Sequence, residues 1–203
     1  MSEHPRFIGK AFTRASEFSG HKPIPTPAKT FETWLHAHFA PERHRNIGVT
    51  AERSKMAVKI RRAEHSDSDT ITSLMHLSAA YKGKYGQIIA GYSVTPHQID
   101  RDLVYLAENE SGIIGFYSLV TEPEPELDLM FVSDAAQGTA VGRQLFDHMK
   151  MTAADNGIVQ VKIVSHPPSV GFYERMGAEV VGIKPPSANT TWERPILRLT
   201  IRR

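Results

Sequence analysis

Apolar residues recur along the chain in short runs and at helix-like spacings, and this pattern predicts a sheet with helices on it. Seven stretches rich in aliphatic and aromatic residues are bounded by turn residues, which is typical of strands. The predicted strands cover residues 58–62, 103–107, 113–120, 127–132, 158–164, 179–183 and 195–201.

Four helices are predicted between these strands, from apolar residues that lie three and four positions apart. The first is expected to be capped by Asp67 and Ser68, whose side chains can accept from free backbone N–H groups. The others are a short helix with Thr95 as its cap and Pro96 as its first residue, a long helix that carries Leu145, Phe146, Met149 and Ala153 and stops at Gly157, and a short helix over residues 169–175.

The order of these elements predicts the fold class. It runs strand, two helices, an antiparallel hairpin, strand–helix–strand, a short helix and a final hairpin. Polar turn residues at 108–112 between two apolar runs indicate the first hairpin. We therefore expect an α/β protein with a mixed, mostly antiparallel sheet and helices on both faces.

The first 56 residues differ from the rest and are predicted to form an N-terminal arm, followed by one domain over residues 57–203. The arm has a proline-rich stretch at residues 22–27, which favours an extended chain. Phe31, Trp34, Leu35, His38 and Phe39 then follow at helical spacing. A short amphipathic helix of this kind needs a partner surface, either on its own domain or on a second subunit in a homodimer.

Composition narrows the classes of function. The chain has 203 residues and no cysteine, which excludes disulfides, thiolate metal ligands and a cysteine nucleophile. No apolar run is long enough to cross a membrane, and residues 1–20 lack the apolar core of a signal peptide, so a cytoplasmic protein is expected. The net charge of +2 is too small to indicate a nucleic-acid partner, and the histidines lack metal-ligand spacing, so we predict no metal site.

A turn of small residues joins the strand at 127–132 to the long helix. It reads QGTAVG at residues 137–142, and Arg143 follows in a first helical turn without an acidic side chain. Free N–H groups and the positive end of the helix dipole favour an anion here, most plausibly a phosphate. The alternative is that glycine is simply common in any strand-to-helix turn.

Two motifs in the chain resemble those of the GNAT (Gcn5-related N-acetyltransferase) superfamily. QGTAVG at residues 137–142 is similar to the family's acetyl-CoA motif, Gln/Arg-x-x-Gly-x-Gly/Ala, and FYERMG at residues 172–177 is similar to its later FYE-x-x-G signature. The resemblance covers roughly residues 58–201. It implies the GNAT acyl-CoA N-acyltransferase fold, in which two central strands splay apart to admit acetyl-CoA.

The resemblance also implies which residues contact acetyl-CoA, the acetyl donor. Ala140 stands where the family usually has glycine, and its methyl group is expected to crowd the pyrophosphate or to demand a negative φ, which would weaken binding. The implied contacts are Met130, Phe131, Val132, Gln137, Gly138, Thr139, Ala140, Val141, Gly142, Arg143 and Phe172.

An amine acceptor needs a base, because a lysine-like amine with a pKa of about 10.4 is mostly protonated at neutral pH. The resemblance implies Glu126, since the superfamily often places its catalytic glutamate at this strand position. Asp128 is two residues further on and would share its face of the sheet, where repulsion would raise one pKa. Either carboxylate is a candidate base, and Glu126 has the alternative of being a solvated end of an acidic run.

Attack on the thioester creates an oxyanion, which backbone N–H groups near residues 130–132 are expected to stabilise. Tyr173 matches the superfamily's position for the acid that protonates the leaving thiolate, and the alternative is an aromatic packed beside Phe172. The prediction is therefore an N-acetyltransferase that works by direct attack in a ternary complex.

The sequence predicts the acceptor only as a small-molecule or peptide amine, which the acidic residues near Glu126 would attract. A non-catalytic acyl-CoA-binding sensor or interaction module remains the alternative function.

The loop at residues 81–86 is aromatic, basic and glycine-rich, and it either lies over the active site or is a surface loop with its tyrosines packed below. His166 is expected to tune the acceptor or, as we favour, to cap a turn.

Overall fold

The computed structural model describes residues 58–187 and 190–202. The predicted N-terminal arm, residues 1–56, lies outside the described residues, and its helix and docking partner stay predictions.

Seven strands in the described part of the chain form one sheet with the order β1-β2-β3-β4-β5-β7-β6. Neighbouring strands are antiparallel, apart from β4 and β5, which are parallel. The prediction of a mixed, mostly antiparallel sheet is therefore confirmed. The strands are β1 Lys59–Arg62, β2 Leu103–Asn109, β3 Gly112–Val120, β4 Glu126–Val132, β5 Gln160–Val164, β6 Glu179–Lys184 and β7 Arg194–Thr200.

Four α-helices accompany the sheet: α1 Ser68–Leu77, α2 Pro96–Arg101, α3 Val141–Asp155 and α4 Val170–Arg175. Short 3₁₀ turns lie between them, among them Ala79–Tyr81 and Gly83–Ile88 after α1 and Asp134–Ala136 before α3. Across residues 58–187 and 190–202, no helix has the length and apolar character needed to cross a bilayer.

Of the two predicted helix caps, one is present in the structure and the other is not. Thr95 caps α2 as predicted, because its Oγ1 accepts from the backbone N–H of Gln98 at 3.2 Å. The predicted side-chain cap of α1 is wrong. Asp67 occupies the N-cap position, but its carboxylate instead accepts from the Arg61 guanidinium at 2.7 and 2.9 Å and from the Glu64 N–H at 2.8 Å. A charged partner on β1 outcompetes the helix end because charge-assisted bonds are stronger.

Two apolar clusters hold helices on opposite faces of the sheet. Adjacent residues of β3 show the division, since successive strand residues point to opposite faces. Phe116 belongs to the cluster that contains Ile71 of α1, whereas Tyr117 belongs to the cluster that contains Leu145 and Phe146 of α3. Helices on both faces, as predicted from the element order, are thus confirmed.

A bulge interrupts β4 at Asp128. Ser118 and Leu119, which are adjacent in β3, pair with Leu129 and Leu127, so Asp128 has no opposite residue. The inserted residue changes the phase of the strand, because Leu127 packs in the α3 cluster and Leu129 in the α1 cluster. The simple alternation expected for Glu126 and Asp128 is therefore broken. Whether the two carboxylates share a face of the sheet cannot be read from their spacing and depends on their contacts.

The parallel strands β4 and β5 pair at only two positions, Glu126 with Lys162 and Leu127 with Ile163. Beyond Leu127, the described residues give β4 no partner on its β5 side. The two central strands thus separate where the resemblance implied a splay, and their separation positions the site.

Candidate active site

The gap between β4 and β5 opens into a cleft of about 800 Å³. Its walls come from the two parted strands, the turn before α3, helix α4, the segment after α1 and the β6–β7 hairpin. The lining residues discussed below are Tyr81, Glu126, Asp128, Met130, Phe131, Val132, Gln137, Gly138, Ala140, Gly142, Arg143, His166, Phe172, Tyr173, Lys184 and Arg194.

One end of the cleft is the N-terminus of α3, where main-chain donors face outward. Ala140 is the N-cap residue, no side chain caps the helix, and the first turn has no acidic residue. The first i→i−4 bond runs from the Gln144 N–H to the Ala140 carbonyl at 3.0 Å. The N–H groups of Val141, Gly142 and Arg143 therefore lack partners within the helix, and the helix dipole adds a partial positive charge. This arrangement suits an anionic group.

Ala140 adopts the left-handed conformation, with φ of 70° and ψ of 1°. The expectation that alanine would demand a negative φ is therefore wrong. Gly138, two residues earlier, also has a positive φ, of 76°. The turn keeps the backbone that glycine would allow, and the Ala140 methyl group bears a local strain of about 1 kcal/mol.

Most of the predicted donor contacts line the cleft, but two side chains do not. Thr139 turns its hydroxyl back to donate to the Ala136 carbonyl at 2.6 Å, and Val141 is buried in the core. Both can offer only main-chain groups to a ligand. Gly142 lies close to Phe172, since a methyl group on it would meet that ring at 3.6 Å, so the small residue keeps the turn and α4 in contact.

The two candidate carboxylates lie in different environments. Glu126 is bound to Lys162 at 2.8 Å, and the same ammonium group contacts Glu124 at 2.6 Å. Asp128 forms no ion pair among the described residues, and its pKa is raised to about 6. Desolvation by burial is the main cause, and the negative charges of Glu126 and Asp102 add to it. A carboxyl with a pKa of about 6 is suited to exchange a proton near neutral pH.

Tyr173 lines the cleft from α4 and is 9% exposed. Its ring packs against Phe172 and Phe146, with centroids 5.3 and 6.0 Å away. Within residues 58–187 and 190–202, no group hydrogen-bonds its hydroxyl. Burial raises the pKa of this phenol above its ordinary value of 10.0, so it stays protonated at neutral pH and can donate.

The structure adds two cations that the sequence did not single out, Arg194 and Lys184, and shows where the aromatic loop meets the cleft. Tyr81, from the aromatic loop after α1, stacks on His166 with centroids 4.9 Å apart and on Phe131 at 5.1 Å. The loop thus forms part of the cleft wall, and the Tyr81 ring is packed. Each of the two alternatives predicted for this loop therefore describes part of what the structure has. Arg194 and Lys184 line the cleft from β7 and β6. A cation at the start of a mostly apolar strand was the available signal for Arg194.

His166 has a structural role at its turn in addition to its place in the wall. Its carbonyl accepts from the Ser169 N–H at 3.0 Å, and its Nδ1 lies 3.0 Å from the Ser169 hydroxyl. Burial lowers the pKa of the imidazole, so the ring is neutral at pH 7.

Comparison with known proteins supports this reading of the fold. Residues 87–187 match the family model described as an acetyltransferase (GNAT) domain. PaiA N-acetyltransferase from Thermoplasma acidophilum, solved in complex with coenzyme A, is similar with a TM-score of 0.59 at 20% identity, over 71% of this chain and 99% of that one. Ribosomal-protein-S18-alanine N-acetyltransferase from Escherichia coli is similar with a TM-score of 0.56 at 17% identity, over 72% of this chain and 96% of that one.

A curated relative matches at the level of sequence. The 5-NmdU N-acetyltransferase of Pseudomonas phage PaMx11 is 29% identical over 82 residues, which are 39% of this chain and 59% of the phage protein. The chain therefore spans less than two thirds of that relative's length.

The parted central strands and the structural matches define the GNAT fold. The family match then identifies the chain as carrying a GNAT-type N-acetyltransferase domain, the family that its two motifs predicted.

Proposed function

We propose that this chain transfers an acetyl group from acetyl-CoA to an amine by direct attack in a ternary complex. One observation carries the proposal. A continuous cleft runs from the uncapped N-terminus of α3, along the unpaired edge of β4, to a carboxyl with a raised pKa at Asp128. These are the three parts that the reaction requires: an anion site, a channel for a thioester arm, and a base.

The donor end of the cleft, defined as residues 137–143 with the second half of β4, is proposed to hold acetyl-CoA. The free N–H groups at the start of α3 bind the diphosphate, and Arg143 adds a positive charge. The pantetheine arm lies in the β4–β5 gap, where the open edge of β4 offers it main-chain hydrogen bonds. Solved neighbours of this fold contain coenzyme A, which supports the same ligand here.

Asp128 is the proposed general base. A base with a pKa of about 6 is ionised at neutral pH and still accepts a proton from the attacking amine. Glu126 is held by Lys162 and is proposed to act on the reaction through Asp128, whose pKa its charge helps to raise. The bulge supports this assignment, because it places an unpaired strand residue beside the opening of the gap.

Tyr173 is the proposed acid for the leaving thiolate. Its phenol remains protonated at neutral pH, and its hydroxyl is not engaged by described residues. The leaving thiol has an ordinary pKa of about 8.5, below that of the phenol, so the Tyr173 hydroxyl stabilises the departing thiolate by donating a hydrogen bond, along which the proton can follow. Main-chain N–H groups near Met130 and Val132, on the open edge of β4, are proposed to stabilise the tetrahedral oxyanion.

The acceptor is proposed to be an amine drawn in by the negative charges of Glu126 and Asp128. Names of similar proteins refer to different acceptors: 5-NmdU for the phage relative, a ribosomal-protein alanine and an aminoglycoside for structural neighbours. They agree on N-acetylation, and their diversity shows that the fold alone does not set the acceptor.

The test is coenzyme A release from acetyl-CoA over a panel of amines, with mass spectrometry of the acetylated product. We expect turnover that rises with pH through about 6, and a loss of about 10²–10⁴-fold in kcat for Asp128→Asn. Glu126→Gln should lose less, and Asp147→Asn, an exposed change on α3, serves as the matched control. Donor binding without turnover of any amine would favour the non-catalytic sensor instead.

A further inference from the structure

Arg194 is a buried cation with no partner among the described residues. It is 5% exposed, its Nε has no hydrogen-bond partner, and no acidic side chain within residues 58–187 and 190–202 forms an ion pair with it. Burying an unpaired charge is costly, so an isolated guanidinium on a cleft wall indicates a missing anion.

A second cation and a second unsatisfied atom lie on the same wall. Lys184 is directly opposite Arg194 in the β6–β7 pair, so their side chains share a face of the sheet. Burial and the charge of Arg194 lower the pKa of Lys184, and the charge of Glu126 opposes this shift. His166, also on the cleft wall, is 6% exposed, and its Nε2 has no hydrogen-bond partner.

The missing anion is not the diphosphate of the donor, because Arg194 faces the other side of the sheet. In β7, Leu197 and Leu199 pack in the cluster that contains α3. Strand alternation points Arg194 to the opposite face from them. The N-terminus of α3, the proposed diphosphate site, lies on the α3 face, since Val141 belongs to that cluster.

Glu126 lies on the same side of the sheet as Arg194, and Asp128 lines the same cleft. In β5, Val161 and Ile163 pack in the α3 cluster, so Lys162 between them projects from the opposite face, where it holds Glu126. Asp128 lines the cleft two residues after Glu126, and after burial the negative charges of Glu126 and Asp102 help to raise its pKa. The cleft on this side therefore holds two carboxylates, Glu126 paired with Lys162 and Asp128 without an ion pair among the described residues, together with two cations, Arg194 and Lys184.

We infer that the acceptor is an amine that also carries an oxyanion, either a carboxylate or a phosphate ester. Its ammonium group is drawn to Glu126 and Asp128, and its oxyanion is held by Arg194, whose planar fork matches two oxygens, with Lys184 beside it. This inference rests on the proposed function and names its substrate class. The acceptor end of the cleft is defined accordingly as Tyr81, Asp128, His166, Lys184 and Arg194.

The test measures binding, so it does not depend on turnover. Calorimetry on the full chain saturated with coenzyme A compares matched amines with and without the oxyanion. One arm uses α-amino acids against their amides, and the other uses aminoalkyl phosphates against the corresponding amino alcohols. We expect the anionic member of at least one arm to bind tenfold or more tightly than its neutral partner, and the arm that responds identifies carboxylate or phosphate.

Arg194→Gln should reduce that ratio to less than threefold, and Arg194→Lys should retain part of it. Arg198→Gln, an exposed change on the same strand, should keep the full ratio. Coenzyme A affinity of each variant, expected within twofold of the parent, reports that the fold is intact. Equal affinity for both members in both arms, no binding of any anionic member, or a ratio that survives Arg194→Gln would overturn the inference. Failure of the proposed function would instead appear as absent coenzyme A binding or absent turnover.

Discussion

The donor end and the acceptor end of the cleft are built from different parts of the chain. The donor end is main chain: a left-handed turn at Gly138 and Ala140, the first N–H groups of α3, and the open edge of β4. The acceptor end is side chains brought from separate elements, such as Tyr81 after α1, Asp128 in β4 and Arg194 in β7.

Because of this difference, the donor end can stay constant between related proteins while the acceptor end varies. A site made of backbone groups, as proposed for the donor, depends little on the identity of the flanking side chains, so one donor can be kept through large changes in sequence. Charged and aromatic side chains can be exchanged singly, and each exchange alters which amine fits. Changes at the two ends should therefore have separable effects, on donor affinity and on proton transfer or acceptor choice.

The largest effect is expected at the donor end, from Gly142→Asp. A carboxylate in the first turn of α3 would repel the diphosphate and neutralise the positive end of the helix dipole, and we expect coenzyme A affinity to fall about 100-fold, or roughly 3 kcal/mol. A side chain is accommodated there, because the nearest atoms to an added methyl group are 3.6 Å away. Calorimetry would measure the change.

Gly142→Asn is the matched control, since it has the shape of aspartate without the charge. It should keep most of the affinity that Gly142→Asp loses. Equal losses in the two variants would mean that space, and not charge, governs this position, and the anion site would have to be placed elsewhere.

The next largest effect is expected from a change at the acceptor end, and the quantity that changes is the free energy of unfolding. The pKa of Asp128, about 6, is above its ordinary value of 3.8, so ionisation above pH 6 costs the folded state free energy. Asp128→Asn should therefore raise the unfolding free energy at pH 7.5 by up to about 3 kcal/mol, and by only about 1 kcal/mol at pH 4.5. Urea unfolding at both pH values gives the comparison.

Asp147→Asn, on the exposed face of α3, should change stability little at either pH. A destabilised Asp128→Asn, or a gain that does not grow with pH, would contradict the raised pKa and remove the main reason for preferring Asp128 to Glu126 as the base.

Tyr173→Phe is expected to have a smaller effect, on chemistry alone. Removing the hydroxyl should lower kcat about tenfold or more and leave the affinity for acetyl-CoA nearly unchanged, because the ring still packs on Phe172 and Phe146. Tyr105→Phe, on a half-buried ring that stacks with Tyr117 at 5.5 Å, is the control and should not alter kcat. A Tyr173→Phe variant with full kcat would leave this tyrosine a packing residue only.

The smallest effect is expected from Ala140→Gly. Since φ at this position is 70°, glycine removes the strain of the alanine, and stability should increase by about 0.5–1 kcal/mol. Ala135→Gly, in the neighbouring 3₁₀ turn, should give no such gain. Loss of stability in Ala140→Gly, measured by thermal unfolding, would show that the left-handed turn is not maintained in solution.

The sequence predicted the fold and the turn before α3 because both depend on local patterns. Apolar spacing located every strand of the described sheet, and the small residues at 137–142 located the turn before α3. The cap of α1 was mistaken because Arg61, on a strand, competes for Asp67, and such a long-range partner is absent from local patterns.

At the acceptor end, the sequence singled out Asp128, His166 and the loop that carries Tyr81. The two cations and the way these groups meet could not be predicted, because they too depend on long-range contacts. Arg194 and Lys184 are ten residues apart and meet through strand pairing, and Tyr81 meets His166 only when two distant segments fold together. The bulge at Asp128 depends on the register of β3 against β4, and neither strand's own sequence reveals it. Registers of this kind decide which charges share a face and hence what the cleft can bind.

Hydrogen–deuterium exchange with and without saturating acetyl-CoA tests the central claim most directly. The account predicts slower exchange of main-chain N–H groups at residues 128–132 and 137–143, where the thioester arm and the diphosphate are placed. Unchanged exchange in both segments at saturating donor, or slowing confined to other parts of the sheet, would contradict it.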